Sequence, residues 1–297
     1  MFTGFGTALI TPFKENGDVD YAMFEKIIDN QLENGVNALV VLGTTGESPT
    51  VHFKEREELT KIAVKKADGE VPVIVGTGTN DTSKVLEMNK LAEQNGADGL
   101  LIVTPYYNKT SQAGLIDHYT YIAARTELPI IAYNVPSRTG VNIEPATFRA
   151  MSEQEDNIIA VKEASGDMSQ ILEVISQTGE DKIIYSGNDD QAMPIMMSGG
   201  SEVIPVFSNL LPGVMKDITE NILAGEYQAA RDIFYKYHRL MRLLFVDVNP
   251  IPVKFAMSQI GLSNNNLRKP LIPLSDENQE LLLNEMRRLE IIWNMES

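Results

Sequence analysis

Short apolar runs recur along the first two-thirds of the chain and predict buried β-strands. Each run is almost continuously hydrophobic, which is typical of strands buried on both faces in a parallel sheet. Eight such runs are Thr7–Ile10, Ala38–Leu42, Val73–Val75, Leu100–Val103, Ile130–Tyr133, Ile158–Lys162, Ile183–Tyr185 and Val203–Val206.

The segments between these runs have a helical period. One amphipathic face carries Phe24, Ile27, Ile28 and Leu32. The junctions also repeat, since residues 33–41 resemble residues 94–102, and in both a glycine able to end a helix precedes a strand. About eight strand–helix units of roughly 30 residues predict a (β/α)8 barrel. The alternative is a doubly wound open sheet, which the pattern alone does not exclude.

The strand pattern stops after about Gly225. Helices are predicted over Tyr227–Val246, Pro252–Ile260 and Glu277–Trp293, and proline-containing segments separate them. The chain is therefore divided into a barrel domain, 1–224, and a C-terminal helical extension, 225–297.

Composition narrows the possible functions. The formal net charge of −16 argues against nucleic-acid binding, which needs a basic surface. The chain has no cysteine, and its three histidines lack metal-ligand spacing, so neither a metal nor another cofactor is expected. No apolar run approaches the roughly 20 residues that span a bilayer, and no signal peptide is recognisable, so a soluble cytoplasmic protein is expected.

In such barrels, active-site residues lie at the carboxyl ends of the strands. Lys162 ends a strand that should be buried, and a desolvated lysine has a lowered pKa and reacts with carbonyls to form an imine. The alternatives are a lysine whose ammonium reaches solvent or pairs with Glu163. Tyr133 ends its strand in the same way and is either a core tyrosine or a proton shuttle for imine formation.

Other strand ends carry groups suited to carboxylates. The turn Gly43-Thr-Thr-Gly46 offers backbone N–H groups, although an ordinary tight loop has the same composition. Arg138 follows Tyr133 in a loop over the proposed mouth and is either a carboxylate clamp or a surface arginine. Asp189 and Asp190 are interpreted as solvated or helix-capping acids rather than as an acid–base pair.

Together these residues resemble the dihydrodipicolinate synthase family of class I pyruvate aldolases. The resemblance extends from Gly4 to Leu274 and rests on four segments that end strands and on one in the extension. These are Gly43–Glu47, Tyr133–Gly140, Val161–Glu163, Ser186–Asp190 and Asn249–Lys254. Its arginine and its extension motif are more typical of the synthase than of the related N-acetylneuraminate lyases.

The resemblance implies a Schiff base between Lys162 and pyruvate, whose enamine attacks aspartate semialdehyde to give 4-hydroxy-tetrahydrodipicolinate. This is the committed step towards diaminopimelate and lysine. The implied residue roles are a proton relay, binding of two carboxylates, and lining of the pocket. The proton relay would consist of Tyr133, Thr44 and Tyr107. Thr45 would bind the pyruvate carboxylate, and Arg138 would bind the semialdehyde carboxylate. The pocket would be lined by Gly187 and the carbonyl of Ile204. Tyr107 would come from a neighbouring subunit of a homotetramer built from dimers.

The chain departs from the family pattern at two places. Glu202 and Pro205 stand where members often have Gly and Ser, and a proline within a buried strand would disturb the geometry around Ile204. Arg56 and Lys84 replace the His and Glu of lysine-regulated members, which predicts weak or no inhibition by lysine. A lyase acting on N-acetylneuraminate or a 2-keto-3-deoxy sugar acid, and an inactive pyruvate-binding barrel, remain the alternative functions.

Overall fold

The computed structural model describes residues 1–292, apart from the side chain of Glu180. Eight parallel strands close into a barrel in which each pairs with the next and the last pairs with the first. The strands are β1 Gly4–Ala8, β2 Ala38–Val41, β3 Val73–Gly76, β4 Gly99–Val103, β5 Ile130–Asn134, β6 Ile158–Glu163, β7 Ile183–Ser186 and β8 Glu202–Val203. The predicted barrel is confirmed, and the open sheet is wrong because β1 pairs with β8.

Helices surround the barrel and follow it. Those in the barrel layer are α1 Tyr21–Glu33, α2 Phe53–Ala67, α3 Thr82–Gln94, α4 Gln112–Ala123, α5 Pro136–Thr139, α6 Pro145–Gln154, α7 Met168–Thr178, α8 Ala192–Met197 and α9 Pro212–Leu223. Three more form the extension: α10 Tyr227–Leu243, α11 Ile251–Gln259 and α12 Asp276–Arg288. The division of the chain after residue 224 remains an interpretation. The predicted end of the last helix, Trp293, lies outside the described residues.

The first strand begins three residues earlier than predicted. Its segment Gly4–Ala8 contains two glycines, which a count of apolar residues overlooks. A Cβ at Gly6 would lie 2.7 Å from the Phe2 ring, so the missing side chain leaves room for that ring inside the barrel. There the Phe2 ring stacks on Tyr185, with 4.8 Å between ring centroids.

The last strand ends earlier than predicted. It covers only Glu202–Val203, so Pro205 lies beyond it and removes no donor from the ladder. The Pro205 carbonyl still accepts a hydrogen bond from Ala8 N at 3.1 Å. The expected disturbance around Ile204 is therefore absent: this residue is fully buried and its N–H donates to Ser186 O at 2.9 Å.

The apolar side chains form two layers. The larger fills the space between sheet and helices, where α1 places Phe24, Ile27 and Ile28. The smaller fills the barrel interior and includes Tyr133 and Tyr185. Since successive residues of a strand face opposite sides, the same strands supply both layers. This explains why the runs are almost continuously hydrophobic.

Candidate active site

Lys162 lies inside the barrel near the carboxyl end of β6. It is paired in register with Tyr133 of β5 on one side and with Tyr185 of β7 on the other. Only 5% of the residue is exposed, and its Nζ atom lies 4.7 Å from the centre of the Tyr133 ring. The predicted burial of this lysine is confirmed.

Burial lowers the pKa of Lys162 to about 8. The negative charge of Asp189 opposes this shift, and the positive charge of Arg138 adds to it. A lysine with this pKa holds a substantial fraction of free amine near neutral pH, which is the form that attacks a carbonyl.

Glu163 does not pair with Lys162. As the next residue of the strand, it faces the helices, where its carboxylate accepts hydrogen bonds from Asn134 Nδ2 at 3.1 Å and Ser165 N at 2.8 Å. Gln170 Nε2 adds a third donor at 3.2 Å. The interpretation of Lys162 as half of an ion pair with its neighbour is therefore wrong.

Tyr133 lies beside Lys162 and lines an open cavity, of which Lys162 itself is not a lining residue. It is 7% exposed, and burial raises the pKa of its phenol, which the nearby hydroxyl of Thr44 partly opposes. Tyr133 and Thr44 both line the cavity. A protonated phenol beside an amine and a second hydroxyl has the geometry of a short proton relay.

The turn between β2 and α2 presents free backbone donors. Its own hydrogen bonds run from Gly46 N to Gly43 O and from Glu47 N to Thr44 O, both at 3.1 Å. Within the part of the chain that the structure describes, the N–H groups of Thr44 and Thr45 donate to no protein acceptor. Two adjacent free N–H groups form a site suited to a carboxylate.

The cavity has a volume of about 520 Å³ and opens at the carboxyl ends of the strands. Arg138 lies in its wall, exposed, with one guanidinium nitrogen donating to Asn249 O at 3.2 Å. The arginine is thus available for an anionic ligand, and its hydrogen bond to the extension holds it in place. A cavity with Tyr133 on its floor and an arginine in its wall fits a small acidic substrate.

Gly187 lies against Lys162. A Cβ built on it would be 2.7 Å from Ala164 Cβ and 3.2 Å from Lys162 Cε. Any larger residue would therefore displace the lysine side chain. Gly187 N also donates to Glu163 O at 2.8 Å, which fixes the start of this loop to β6.

Asp189 is a functional candidate that sequence reasoning interpreted wrongly. It is 1% exposed rather than solvated, and it accepts hydrogen bonds from Val206 N and Phe207 N at 2.7–3.2 Å. These donors follow β8 and have no strand partner. Burial raises the pKa of Asp189 to about 6. The feature of the sequence that could have indicated this role is Pro205, because it ends β8 and leaves the next two N–H groups in need of an acceptor. Asp190 is exposed, as expected.

Comparison with known proteins decides the family. The sequence model of the dihydrodipicolinate synthetase family matches residues 1–288. The chain belongs to the dihydrodipicolinate synthetase family. One curated member, 4-hydroxy-tetrahydrodipicolinate synthase of Alkaliphilus oremlandii, is 51% identical over 98% of this chain and 100% of its own length.

Solved structures of the dihydrodipicolinate synthetase family superpose on nearly the whole chain. The synthase of Acinetobacter baumannii in complex with pyruvate is 37% identical, with a TM-score of 0.96 over 98% of this chain and 100% of that one. A monomeric variant of dihydrodipicolinate synthase is 46% identical, with a TM-score of 0.96 over 98% of both chains.

Tyr107, the second tyrosine that the family resemblance singled out, is not brought into the site by this chain. It is 90% exposed and has a left-handed backbone with φ of 71°. Its loop projects beside the cavity that Tyr106 lines. Most of the Tyr107 side chain is therefore not covered by the described residues of this chain.

Arg56 and Lys84 both line the cavity, near each other in the fold as residues of α2 and α3. Arg56 is 5% exposed and donates to the carbonyl oxygens of Val51, Gly76 and Ser48 at 3.3, 3.1 and 2.6 Å. Burial lowers the pKa of Arg56 to about 10, so it keeps its charge at neutral pH. Lys84 is exposed. Two cations therefore face this part of the cavity.

Residues 1–292 show neither a metal-binding cluster nor a membrane-spanning helix. No cluster of three or more His, Cys, Asp or Glu side chains in this range has a metal-binding arrangement. No helix in the same range combines the length and apolarity that crossing a bilayer requires.

Proposed function

We propose that this chain is a 4-hydroxy-tetrahydrodipicolinate synthase, which condenses pyruvate with L-aspartate 4-semialdehyde. The observation that carries the proposal is the buried Lys162 amine beside Tyr133, which lines a cavity together with Thr44 and Arg138. Relatives about half identical over nearly the full chain bear this name. The reaction makes the enzyme a lyase of the aldolase type, acting in lysine and diaminopimelate biosynthesis, and we place it in the cytoplasm, where pyruvate is available.

In the proposed reaction, the Lys162 amine adds to the keto carbon of pyruvate. The resulting carbinolamine loses water as Tyr133, backed by Thr44, passes a proton to the departing oxygen. The imine then loses a methyl proton to the Tyr133 phenolate and becomes an enamine. The enamine carbon attacks the aldehyde carbon of the second substrate, Tyr133 returns the proton to the aldehyde oxygen, and the imine re-forms on Lys162. Attack of the semialdehyde nitrogen on the imine carbon closes the ring and releases Lys162.

The remaining predicted residues bind the substrates. The free N–H groups of Thr44 and Thr45 donate hydrogen bonds to the pyruvate carboxylate, and the Arg138 guanidinium donates to the semialdehyde carboxylate. Gly187 leaves room for the imine beside Lys162. The carbonyl of Ile204 contributes to the pocket floor on the β8 side.

Two alternatives are less well supported. A sugar-acid lyase needs polar partners for a hydroxylated chain, whereas Arg138 offers a cation suited to a second carboxylate. An inactive pyruvate-binding barrel would not need an amine with a pKa near 8 next to a relay of two hydroxyls. Both alternatives remain outcomes of the following experiment.

The experiment is product formation from pyruvate and aspartate semialdehyde, coupled to purified dihydrodipicolinate reductase and followed by NADPH oxidation. Oxidation that depends on both substrates and on the enzyme supports the proposal. If no oxidation occurs but borohydride traps pyruvate on the protein, the chain is a pyruvate lyase for another aldehyde. If neither occurs, the barrel is inactive.

We propose that Tyr107 completes the relay of a neighbouring subunit in a homotetramer built from dimers. Tyr107→Phe and Lys162→Ala proteins are each expected to be nearly inactive. A mixture that has exchanged subunits is expected to regain activity, because some sites then contain both wild-type residues. Lys162→Ala mixed with Tyr133→Phe is the matched control and is expected to show no recovery, because both residues act within one chain and every chain of this mixture carries a defect in its own site.

Subunit exchange is verified by mass spectrometry of differently tagged chains. Absence of recovery after proven exchange would contradict the role of Tyr107. A fully active monomer would contradict it too, and the existence of a monomeric variant in the family makes this outcome worth measuring.

Lysine is expected to inhibit this enzyme weakly or not at all, because Arg56 and Lys84 repel its ammonium groups. The measurement is the initial rate across a range of lysine concentrations up to millimolar. An Arg56→His, Lys84→Glu double variant is expected to become more sensitive. Half-inhibition of the wild type at sub-millimolar lysine would refute the prediction.

A further inference from the structure

The segment Asn249–Lys254 of the extension contacts the turn 43–47 at two points. Asn249 Nδ2 donates to Thr45 Oγ1 at 3.0 Å, and Asn249 is 6% exposed. Five residues later, Lys254 Nζ lies 2.5 Å from Glu47 Oε1. The same short segment therefore holds the middle and the end of the turn.

The contact between Lys254 and Glu47 is a buried ion pair. The two side chains are 0% and 2% exposed. Lys254 Nζ also donates to Asn266 O at 2.8 Å and lies 4.3 Å from the centre of the Phe13 ring. Glu47 Oε2 accepts a further hydrogen bond from Arg268 N at 3.1 Å. Removing one member would leave the other charge buried without its partner, which is strongly destabilising locally.

The backbone of the turn depends on this contact. Leu42 and Glu47, which flank its free N–H groups, both have left-handed backbones, with φ of 60° and 52°. Non-glycine residues adopt this conformation only where the surroundings impose it. The buried carboxylate of Glu47 supplies that constraint at one end. The hydrogen bond from Thr11 Oγ1 to Gly46 O at 2.7 Å holds the carbonyl before it.

We infer that Lys254 and Asn249 are positioning residues for the keto-acid carboxylate. They act through Glu47 and Thr45 and touch no substrate. The inference rests on the proposed function, because it assigns the pyruvate carboxylate to the N–H groups of Thr44 and Thr45. It also gives the extension a role: α11 and the residues before it set the geometry of a substrate-binding turn that belongs to the barrel.

The test is Lys254→Met, which keeps most of the side-chain volume and removes the charge. Release of Glu47 allows the turn to relax, so KM for pyruvate is expected to rise about tenfold or more. KM for the semialdehyde is expected to change much less, because Arg138 is held through the Asn249 carbonyl. Pyruvate binding is also measured alone, as the concentration that gives half-maximal borohydride trapping on Lys162.

Arg268→Met is the matched control. Arg268 also belongs to the extension, binds a barrel glutamate (Glu55) and lies 4.4 Å from the centre of the Phe13 ring. Among the described residues, its guanidinium donates to Glu55, Thr50 O and Gly17 O rather than to Glu47, which is bonded to the Arg268 backbone N–H. This variant is expected to lose stability while keeping the wild-type KM for pyruvate.

Two further variants allow the inference to be tested even if Lys254→Met does not fold. The pair Glu47→Gln, Lys254→Met leaves no buried charge and is expected to fold and to recover part of the pyruvate affinity. Asn249→Ala spares the ion pair and is expected to raise the half-maximal pyruvate concentration by about threefold to tenfold.

Failure of this inference is distinguishable from failure of the proposed function. If the folded variants trap pyruvate with wild-type concentration dependence, the positioning role is refuted whatever the second substrate is. If the wild type itself does not trap pyruvate, the proposed function fails first. Equal increases in both KM values would also overturn the inference, since they indicate a general structural effect.

Discussion

Replacement of Lys162 by alanine is expected to lower turnover by about 10⁴-fold or more. The amine is the only part of the proposed site that forms a covalent bond to pyruvate, and no neighbouring group can substitute for it inside the barrel. The measurement is the coupled assay with pyruvate and aspartate semialdehyde. Mass spectrometry after borohydride treatment with pyruvate should show an adduct on the wild type, equal to pyruvic acid less one oxygen atom, and none on the variant.

Lys182→Ala is the matched control for the nucleophile. Lys182 is a partly buried lysine just before β7, and its Nζ donates to Ile158 O at the opposite end of the barrel, at 3.0 Å. This variant should keep its activity and its pyruvate adduct. Retention of more than a few per cent of the wild-type rate by Lys162→Ala, with the protein pure and folded, would show that the reaction does not use an imine at this lysine.

Replacement of Tyr133 by phenylalanine is expected to lower turnover by about 10²–10⁴-fold. The ring stays beside Lys162, so burial of the amine is preserved, but the proton donor for loss of water from the carbinolamine is gone. The rate at which pyruvate becomes trappable by borohydride should therefore fall along with turnover. KM for the semialdehyde should change less, because Arg138 is unaffected.

Tyr185→Phe provides an unusually close control. Tyr185 flanks Lys162 in register from β7, the strand on the opposite side of β6 from Tyr133, and is fully buried. Its hydroxyl has no hydrogen-bond partner among the described residues, so its removal deletes an unsatisfied polar group. Activity should stay close to wild type and thermal stability should not fall. Equal losses in the two variants would mean that the phenol of Tyr133 has no special role.

Much of the fold could be predicted from the order of residues. Near-continuous apolar runs separated by amphipathic helices indicate strands covered on both faces, and eight of them suffice for a closed barrel. The predicted strand boundaries were wrong where glycine or proline residues determine the course of the backbone. Gly4 and Gly6 belong to β1 although they add no apolar side chain, and Pro205 ends β8 early.

The candidate site was predicted where a residue breaks the local pattern. Lys162 and Tyr133 stand out because each ends an apolar run in which a polar group is costly to bury. Asp189 was misjudged because its neighbours in the sequence suggest a solvated loop. Its partners, Val206 N and Phe207 N, come from a different strand end.

The extension illustrates the same limit. The segment Asn249–Lys254 resembles a motif of the family, but its residues alone do not indicate what Lys254 binds. Its partner Glu47 lies 207 positions away along the chain. The ion pair exists because the extension folds back onto the barrel, which is a property of tertiary packing.

By itself, the sequence determined most of the strands and helices and the lysine and tyrosine that end two of the strands, whereas closure of the sheet into a barrel was shown by the pairing of β1 with β8. The features that the sequence determined follow from burial and periodicity, which act over a few residues at a time. Only the tertiary structure decided the pKa of Lys162, the burial of Asp189 and the attachment of the turn 43–47 to the extension. Desolvation and hydrogen bonding depend on atoms that meet across the fold, and their identity is fixed only when the barrel closes.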